Sequence, residues 1–298
     1  MSDSEQTLLI GVDGGGTGCR VAIGTPSTGI LARADGGRAN AATDPVLAIK
    51  NITLAIADAA AKAHLEEHAL INAVAHIGVA GVMSEDDSQR IASAFPFKSV
   101  FVTDDRPTAV TGALGGEDGY LLSVGTGTIV AASTGGVFRT MGGWGFHVAD
   151  QGSGAWLGRA ALEQVLLCHD GLANPSELTQ TLFGEFNNDP NAIVSFSLSA
   201  KPGDYSAFAP IVVSGAEGGD PWAKAIMAKG GDHFMRSLDV LGFQMGDTLC
   251  LSGGVGPHYA RYLPPEALSG QIESRGTALD GAMRLAKSSA INMLRTNR

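Results

Sequence analysis

The chain has 298 residues, of which 44% are hydrophobic and 17% are charged. This length and composition suit one or two globular domains and exclude a disordered chain. The formal net charge of −10 argues against a nucleic-acid surface or an anionic membrane as a partner. The 3 cysteines, Cys19, Cys168 and Cys250, are far apart and form no CxxC pair, so neither a disulfide framework nor a zinc or iron–sulfur centre is predicted.

We do not expect a signal peptide at the start of this sequence. Its first residues, MSDSEQ, are acidic and lack the basic segment of a signal peptide. Residues 119–138 are uncharged and long enough to span a bilayer, but they are rich in Gly, Ser and Thr and contain a glycine turn. We therefore predict a buried β-hairpin in this stretch, a cytoplasmic protein and no membrane partner.

The first motif is a glycine-rich turn between two apolar runs, at 8–12 and 19–23. Glycine has no Cβ and tolerates positive φ, so the backbone N–H groups of such a turn can close on an anion. A threonine adds a hydroxyl donor, and an aspartate at the strand end is placed to hold Mg²⁺ through water. An ordinary hairpin with a turn aspartate is the alternative. The candidate phosphate-binding residues are Asp13, Gly14, Gly15, Gly16 and Thr17.

The segment that follows predicts strands in alternation with helices. Asp44 and Pro45 suit an N-cap and a first helical position, and Ser84 with Asp87 resembles a capping box. This alternation after a hairpin is typical of an α/β layer. The predicted strands are 29–35, 73–81 and 98–105, and the predicted helices are 45–64, one that begins after Ser84, and 107–114.

Two adjacent aspartates, Asp104 and Asp105, end the strand at 98–105. The carboxyl ends of strands are where α/β sheets usually place their ligands. We predict that Asp104 is a general base that takes the proton of a substrate hydroxyl while the oxygen attacks a γ-phosphoryl group. Asp105 is nearer the following helix and is predicted to serve that helix start. The alternative is that both acids only serve the helix start.

A second glycine turn, GTGT at 125–128, again lies between two apolar runs. Two such turns predict two similar lobes that face one nucleotide, with ligands in the cleft between them. A hinge is expected near 115–118. The candidate phosphate-binding residues of this turn are Gly125, Thr126 and Gly127.

The second half of the chain is predicted to be mostly helical. A short strand at 136–141 leads into a glycine-rich loop, which enters a helix at about Ser153. The further predicted elements are helices at 175–186, 190–199, 204–217 and 220–241, a strand at 247–254 and a helix at 276–289.

The order of the motifs DGGGT, GVAG, TDD, GTGT, GGWG and DQGSG resembles the BadF/BadG/BcrA/BcrD-type ATPase family of the sugar kinase–actin–Hsp70 superfamily. The segments QVLLCHDG, FNNDP, PGDYSAFAP and GGDP are similar to its N-acetylglucosamine kinase and glucosamine kinase branch, and most of all to bacterial glucosamine kinases. The resemblance implies a two-lobed actin-like ATPase (ribonuclease H-like) α/β fold with a duplicated βββαβαβα core. The implied domains are 1–116, joined by a C-terminal helix at 276–298, and 117–275.

The resemblance also implies individual ligand contacts. Asp150 would accept hydrogen bonds from sugar hydroxyls, and Trp144, Gly145 and Phe146 would line the apolar face of the sugar. A structural turn with a core tryptophan is the alternative for this loop. Gln151 stands where many relatives carry Glu, which leaves the role of that position open. By the same resemblance Asn40, Asp104 and Thr128 contact the sugar, and Ala216, Gly253 and Gly254 contact the nucleotide.

The resemblance implies an ATP-dependent amino-sugar kinase that phosphorylates the 6-hydroxyl of glucosamine, with ATP and Mg²⁺ as cofactors. N-acetylglucosamine is the alternative substrate. Alternatives of another class are an activator ATPase of a dehydratase or reductase and a non-catalytic sugar sensor. The activators use cysteines for a cluster, and no suitable pair of thiols is present here. The expected partner is a small amino sugar, and a homodimer is left open.

Overall fold

The computed structural model describes residues 7–296, so the MSDSEQ segment and the last two residues of the predicted C-terminal helix lie outside the described residues. The chain divides into two compact units. The first contains the chain up to Glu117 together with the segment from Ser274 onward, and the second runs from Asp118 to Glu273.

The first unit is built on a 5-stranded sheet of order β3-β2-β1-β4-β5. Strand β1 pairs antiparallel with β2 and parallel with β4, and β5 is parallel to β4. The carboxyl ends of β1, β4 and β5 therefore lie at one edge of this sheet. The elements are β1 Leu9–Gly14, β2 Cys19–Thr25, β3 Gly29–Gly36, α1 Pro45–Lys62, β4 Val74–Val79, α2 Glu85–Ala92, β5 Ser99–Thr103 and α3 Asp105–Leu114, with a 3₁₀ helix at Glu67–Asn72.

The second unit repeats this topology with a 5-stranded sheet of order β10-β9-β6-β7-β8. An α-helical segment with six helices separates β8 from β9, and two 3₁₀ helices that the sequence did not predict separate β9 from β10. The elements are β6 Gly119–Val124, β7 Thr128–Thr134, β8 Val137–Met141, α4 Gly154–His169, α5 Glu177–Glu185, α6 Pro190–Ser197, α7 Pro202–Ser206, α8 Ala209–Glu217, α9 Pro221–Leu241, β9 Leu249–Ser252 and β10 Gln271–Ile272, with 3₁₀ helices at Gly256–Tyr262 and Pro265–Leu268.

The two faces of the first sheet are covered by helices from distant parts of the chain. On one face, Ile10 and Val12 of β1 pack with buried residues of α1 such as Ile52. On the other, Leu9 packs with Met283 of the last helix, α10 Ala278–Thr296. The contact is close, because a Cβ added at Gly11 would lie 2.8 Å from Met283. Strand β1 is therefore the buried centre of this unit.

Most helix starts follow the Asp and Ser capping residues of the sequence. The Asp44 side chain accepts a hydrogen bond from Leu47 N at 2.9 Å, and Ser84 accepts one from Asp87 N at 3.1 Å, as predicted. Helix α3, however, begins at Asp105 and not at Pro107, so its N-cap is Asp104. Pro107 fits inside the first turn because the N–H groups there have no partner within the helix.

The predicted helix at 204–217 is two helices, α7 and α8. Pro210 explains the break, since its ring in a continuous helix would clash with the carbonyl of residue 206, four positions earlier. Helix α7 accordingly ends at Ser206.

The uncharged stretch at 119–138 forms the predicted hairpin. Strand β6 is nearly all buried and pairs antiparallel with β7. Within residues 7–296, no helix combines the length and apolar character that crossing a membrane requires.

Candidate active site

The first glycine turn is fixed by backbone hydrogen bonds from two other segments. Its own closure is a bond from Gly15 N to Gly18 O at 2.9 Å. Ala39 N donates to Gly15 O at 2.9 Å, and Ala80 N donates to Gly14 O at 2.8 Å. The turn, the loop after β3 and the segment after β4 therefore lie together at the carboxyl edge of the first sheet.

The glycines of this turn are not required by its backbone conformation. The φ angles of Gly14, Gly15 and Gly16 all lie outside the left-handed region, so the turn does not use the tolerance of glycine for positive φ. A Cβ on Gly16 would meet nothing within 4 Å, and one on Gly15 would only touch Gly18 O at 3.6 Å. Among the described residues, nothing near Gly16 demands glycine, which fits a backbone that a ligand approaches closely. Thr17 is exposed at the tip of the turn.

Asp13 lies at the end of β1 with its side chain 15% exposed. It forms an ion pair with Arg20, opposite it on β2, with Nε 3.7 Å from Oδ2. Burial raises the pKa of the Asp13 carboxyl, and Arg20 counteracts part of this effect. The carboxylate is thus held close to the turn in a partly desolvated position.

Asn40 is held in place by its own side-chain oxygen. Oδ1 accepts hydrogen bonds from Ala42 N and Thr43 N, each at 3.0 Å. The residue also forms a parallel bridge with Ala80. With Oδ1 engaged by the loop, the Nδ2 amide is the group of Asn40 that can donate to a ligand.

Both carboxylate oxygens of Asp104 accept hydrogen bonds from Arg106, in the first turn of α3. Its Oδ1 accepts from Arg106 N at 2.8 Å and from Arg106 Nε at 2.7 Å, and its Oδ2 accepts from Nη2 at 3.1 Å. The capping role that was predicted for Asp105 therefore belongs to Asp104. A carboxylate in a two-point pair with a guanidinium has few free lone pairs for a proton.

Asp105 is the half-buried neighbour of this pair. Burial raises the pKa of its carboxyl, and the charges of Asp104 and Asp13 raise it further, against smaller opposite effects of a hydrogen bond from its own backbone N–H and of Arg106. An acid with a pKa shifted by burial and by nearby charges is typical of functional sites. The sequence predicts this helix start two residues late, at Pro107, and therefore gives Asp105 only a role at the helix start. The sequence contains a signal for the observed start, since Asp104 is a good N-cap residue and Pro107 is tolerated in the first turn that follows it.

The second glycine turn is tied to the start of α4. Gly125 N donates to Gly127 O at 3.0 Å, while Gly154 N donates to Gly125 O at 2.7 Å and Ala155 N donates to Thr126 O at 3.2 Å. The Ser153 side chain caps α4 by accepting from Trp156 N at 3.1 Å, which confirms the predicted helix start. A Cβ on Gly125 would meet nothing within 4 Å.

Beside this turn are two polar atoms without a partner among the described residues, Asp150 Oδ1 and Thr128 Oγ1. Both are buried, although buried polar atoms normally have hydrogen-bond partners. Asp150 has a φ of 60°, an uncommon value for a non-glycine residue, and its Oδ2 would lie 3.2 Å from a Cβ at Gly127. Burial raises the pKa of the Asp150 carboxyl. The strained backbone and the unpaired oxygens indicate a ligand-binding position.

The aromatic residues of the GGWG loop have opposite environments. Trp144 is 78% exposed, whereas Phe146 is 7% exposed and belongs to the core. The Phe146 ring lies 4.9 Å from that of Tyr205, between centroids, and the guanidinium of Arg159 lies 5.2 Å from its centroid. The structure therefore places Phe146 in the packing of the second unit, whereas Trp144, beside Gly145 with its φ of 89°, is exposed to solvent.

The three residues predicted to contact the nucleotide have different surroundings. A Cβ at Gly253 would clash with the carbonyl of Val124, and its φ is 79°, so the fold itself requires glycine there. Gly254 has no such constraint, since a Cβ would meet nothing within 4 Å. Ala216 is a buried residue of α8, 7% exposed. Of the two glycines, only Gly254 is not required by the fold, so a bound ligand is the simplest reason for glycine at that position.

This fold is shared with sugar kinases. A protein from Chromobacterium violaceum assigned as an N-acetylglucosamine kinase matches with a TM-score of 0.82 and 29% identity, over 94% of this chain and 99% of that one. A ROK family glucokinase from Streptomyces griseus, solved with glucose and AMPPNP, matches with a TM-score of 0.55 at 18% identity, over 94% of this chain and 99% of that one. The second likeness concerns the fold alone. The predicted actin-like α/β fold is confirmed.

The chain belongs to the BadF/BadG/BcrA/BcrD ATPase family, whose model matches residues 10–264. It is 31% identical over 280 residues to the glucosamine kinase GspK of Vibrio cholerae serotype O1, which covers 93% of this chain and 95% of that protein. The family resemblance found in the sequence is thereby confirmed.

Proposed function

We propose that this chain is an ATP-dependent amino-sugar kinase that transfers the γ-phosphoryl group of ATP to the 6-hydroxyl of glucosamine. The observation that carries the proposal is the half-buried carboxylate of Asp105, whose pKa is raised, at the sheet edge where a glycine turn ends β1. Similarity to GspK along nearly the whole chain supports the substrate class. A cytoplasmic location is part of the proposal because ATP is the phosphoryl donor.

The two glycine turns are proposed to bind the phosphates of ATP through backbone N–H groups. Gly16 and Gly125 support this role. The chain leaves room for a Cβ at each of these positions, so a ligand that approaches the backbone would explain why both are glycine. An acidic protein with a net charge of −10 has to bind an anionic nucleotide with such backbone dipoles and a cation.

Asp13 is proposed to hold Mg²⁺ through its water ligands. The residues fit the ion, because Asp13 and Asp105 are partly buried acids that repel each other, and a hydrated divalent cation relieves that repulsion. Bound Mg²⁺ would neutralise charge on the phosphate oxygens. Asp13 itself would orient the water ligands of the ion from the end of β1.

The general base takes the proton of the 6-hydroxyl while that oxygen bonds to the γ-phosphorus and ADP leaves. The sequence favours Asp104 for this role. The geometry favours Asp105, because the ion pair with Arg106 occupies both oxygens of Asp104. The raised pKa of Asp105 brings that carboxyl nearer to neutral pH, where a general base works best. We therefore propose Asp105 as the base and Asp104 as the residue that fixes the helix start.

Sugar recognition is proposed for the polar groups that the fold leaves available. These are Asn40 Nδ2, Thr128 Oγ1 and the carboxylate of Asp150, with the exposed Trp144 ring against the apolar face of the sugar. Gly254 and the neighbouring backbone are proposed to contact adenosine, and Ala216, which is buried in α8, is proposed to pack behind them.

The choice between glucosamine and N-acetylglucosamine depends on the C2 substituent. Free glucosamine is largely an ammonium near neutral pH, whereas N-acetylglucosamine presents a neutral acetamide with a methyl group. A site built around a buried polar partner discriminates strongly, since the wrong substrate leaves that partner unpaired. N-acetylglucosamine is the second candidate because of the similarity to the C. violaceum protein.

The test is ADP release with glucosamine, N-acetylglucosamine and glucose at saturating ATP and Mg²⁺, with mass analysis of the sugar phosphate. We expect kcat/KM for glucosamine to exceed that for N-acetylglucosamine at least about tenfold, a difference of about 1.4 kcal/mol in transition-state binding. A ratio at or below one would transfer the assignment to the acetylated sugar. ADP release that no sugar stimulates would instead support an activator ATPase.

A further inference from the structure

A buried histidine is linked by hydrogen bonds to the start of α3. His76 lies on β4, where its neighbours along the strand, such as Ala75 and Ile77, are buried and apolar. It is 6% exposed, and its Nε2 lies 3.2 Å from Thr103 Oγ1 at the end of β5. Thr103 Oγ1 in turn donates to the carbonyl oxygen of Asp104 at 2.8 Å. The chain of contacts therefore runs from the sheet interior to the peptide that precedes Asp105.

The proton positions in this chain follow from the inventory of donors. A hydroxyl has one hydrogen, and the hydrogen of Thr103 points to the Asp104 carbonyl, so Thr103 must accept from His76. Burial lowers the pKa of His76 to about 4, so the ring is neutral at physiological pH. The ring therefore carries its hydrogen on Nε2, as a donor to Thr103.

The Asp104 carbonyl belongs to the peptide unit that also carries Asp105 N. Because a peptide unit is planar, a hydrogen bond that holds its carbonyl also fixes the direction in which the chain enters Asp105. The carbonyl of Asp105 is held too, by Thr108 Oγ1 at 2.8 Å. The second bond is an ordinary contact within a helix, whereas the donor of the first, Thr103, is itself in contact with His76 on the neighbouring strand β4.

A purely structural role would not need this arrangement. An apolar side chain at position 76 would pack in the sheet without the free-energy penalty of removing an imidazole from water. The imidazole is compensated by one bond, and that bond leads towards the two adjacent aspartates. This placement favours a role in setting their geometry.

We infer that His76 and Thr103 are positioning residues that hold the Asp104–Asp105 peptide so that the catalytic carboxylate meets the sugar hydroxyl. The inference rests on the proposed kinase function. The inference applies whichever of the two aspartates takes the proton, because both are attached to the peptide that His76 and Thr103 hold.

The decisive variants differ only in the hydroxyl at position 103. Thr103→Val keeps the shape and removes the bond, and Thr103→Ser keeps the bond. Misplacement of a reacting group by about 1 Å can lower turnover by about 100-fold, so we expect Thr103→Val to lose at least about tenfold in kcat. The Kd for ATP and the KM for the sugar should change by less than about threefold. Thr103→Ser should recover most of the wild-type kcat.

The matched control is Thr111→Val on the same helix. Thr111 is buried, and its hydroxyl has no partner among the described residues, so its loss should leave kcat unchanged. His76→Leu should reproduce the loss of kcat, and the double variant with Thr103→Val should be no slower than either single variant, as expected for one chain of contacts. His76→Gln, which retains an N–H donor, and Thr103→Ala provide further variants if one of the others does not fold.

The measurements are steady-state kinetics at a temperature where circular dichroism shows each variant to be folded. A folded Thr103→Val variant with kcat within threefold of wild type would overturn the inference, and so would a loss that Thr103→Ser does not restore. Wild-type turnover of the sugar panel decides the proposed function, and the ratio of variant to wild type decides the inference. The two failures are therefore distinguishable.

Discussion

The Asp104 carboxylate and the Arg106 guanidinium form a two-point ion pair, with Oδ1 2.7 Å from Nε and Oδ2 3.1 Å from Nη2. The pair sits within one turn of the start of α3, where Asp104 also accepts from the backbone of Arg106. Asp105 follows directly but has a raised pKa. Two neighbouring acids of one type therefore have different chemical surroundings, and the same substitution should affect them differently.

The first prediction concerns turnover. Asp105→Asn should lower kcat by about 10²–10⁴-fold, the usual contribution of a general base. Asp104→Asn should lose less than about tenfold, because asparagine retains the N-cap acceptor and only the ion pair is lost. ADP-release kinetics at saturating sugar and ATP measure both. The reverse order of effects would return the general base to Asp104, as the sequence alone suggests.

The second prediction concerns stability: the substitution that lowers turnover, Asp105→Asn, should raise the stability of the folded chain. The pKa of Asp105 is raised in the folded chain, so the folded state retains this proton to a higher pH than the unfolded chain, whose pKa is about 3.9. The stability that the protonated group contributes is full below the unfolded pKa and is lost as the pH rises through the folded pKa. Asp105→Asn should therefore be more stable than wild type at neutral pH, with a difference that shrinks towards pH 4.

Thermal unfolding by circular dichroism between pH 4 and 8 checks this expectation. Asp104→Asn is the control, since the loss of a partly exposed ion pair should change stability by no more than about 1 kcal/mol. A melting temperature of Asp105→Asn below that of wild type at pH 7.5 would contradict the burial of a charged carboxylate at this position. Lower activity with higher stability is what a strained functional residue produces.

The third prediction concerns the glycine turns. Gly16→Ala and Gly125→Ala place a Cβ where the chain has no atom within 4 Å and where φ is not left-handed, so both variants should fold normally. If backbone N–H groups of these turns contact phosphates, the added methyl groups should weaken ATP binding at least about tenfold, or about 1.4 kcal/mol. Isothermal calorimetry measures the affinity.

The control for these variants is Gly184→Ala in α5, where a Cβ is equally unhindered. This substitution should leave ATP affinity unchanged and add slightly to helix stability. Unchanged affinity in both turn variants would mean that the turns are only structural.

Much of the fold is predictable because its signals are local. The two hairpins are marked by glycine turns between apolar runs, and most helix starts by Asp or Ser caps, so the order of elements follows from the sequence. The main error, one helix over 204–217, arises because the clash of Pro210 with the carbonyl of residue 206 acts against a continuous apolar pattern. The 3₁₀ helix at Gly256–Tyr262 has no comparable periodic signal.

The candidate site is less predictable because tertiary packing decides it. Nothing local distinguishes Trp144 from Phe146, yet one ring is exposed and the other packs on Tyr205. Asp104 and Asp105 are separated by a helix boundary, and boundaries are the least reliable part of a sequence-based assignment. The unpaired oxygens of Asp150 and Thr128 depend on contacts that only the folded chain defines.

The last prediction uses the two rings of the GGWG loop. Trp144 is 78% exposed, so Trp144→Ala should change the free energy of unfolding by no more than about 0.5 kcal/mol, as for most surface substitutions. Phe146 is 7% exposed and packs against Tyr205 and Arg159, so Phe146→Ala should lose about 3–5 kcal/mol. Denaturant unfolding measures both values.

Variants of Trp144 also test the proposed sugar contact. A ring that stacks on the apolar face of the sugar contributes to substrate binding, so Trp144→Ala should raise the sugar KM by about tenfold while the affinity for ATP stays unchanged. Trp144→Phe, which keeps an aromatic face, should restore part of the loss. In wild type, sugar without nucleotide should alter the Trp144 fluorescence, and Trp144→Phe should lack this change while Trp156 and Trp222 remain. An unaltered sugar KM in Trp144→Ala would remove this residue from the substrate site and leave Asp150, Thr128 and Asn40 as the proposed contacts.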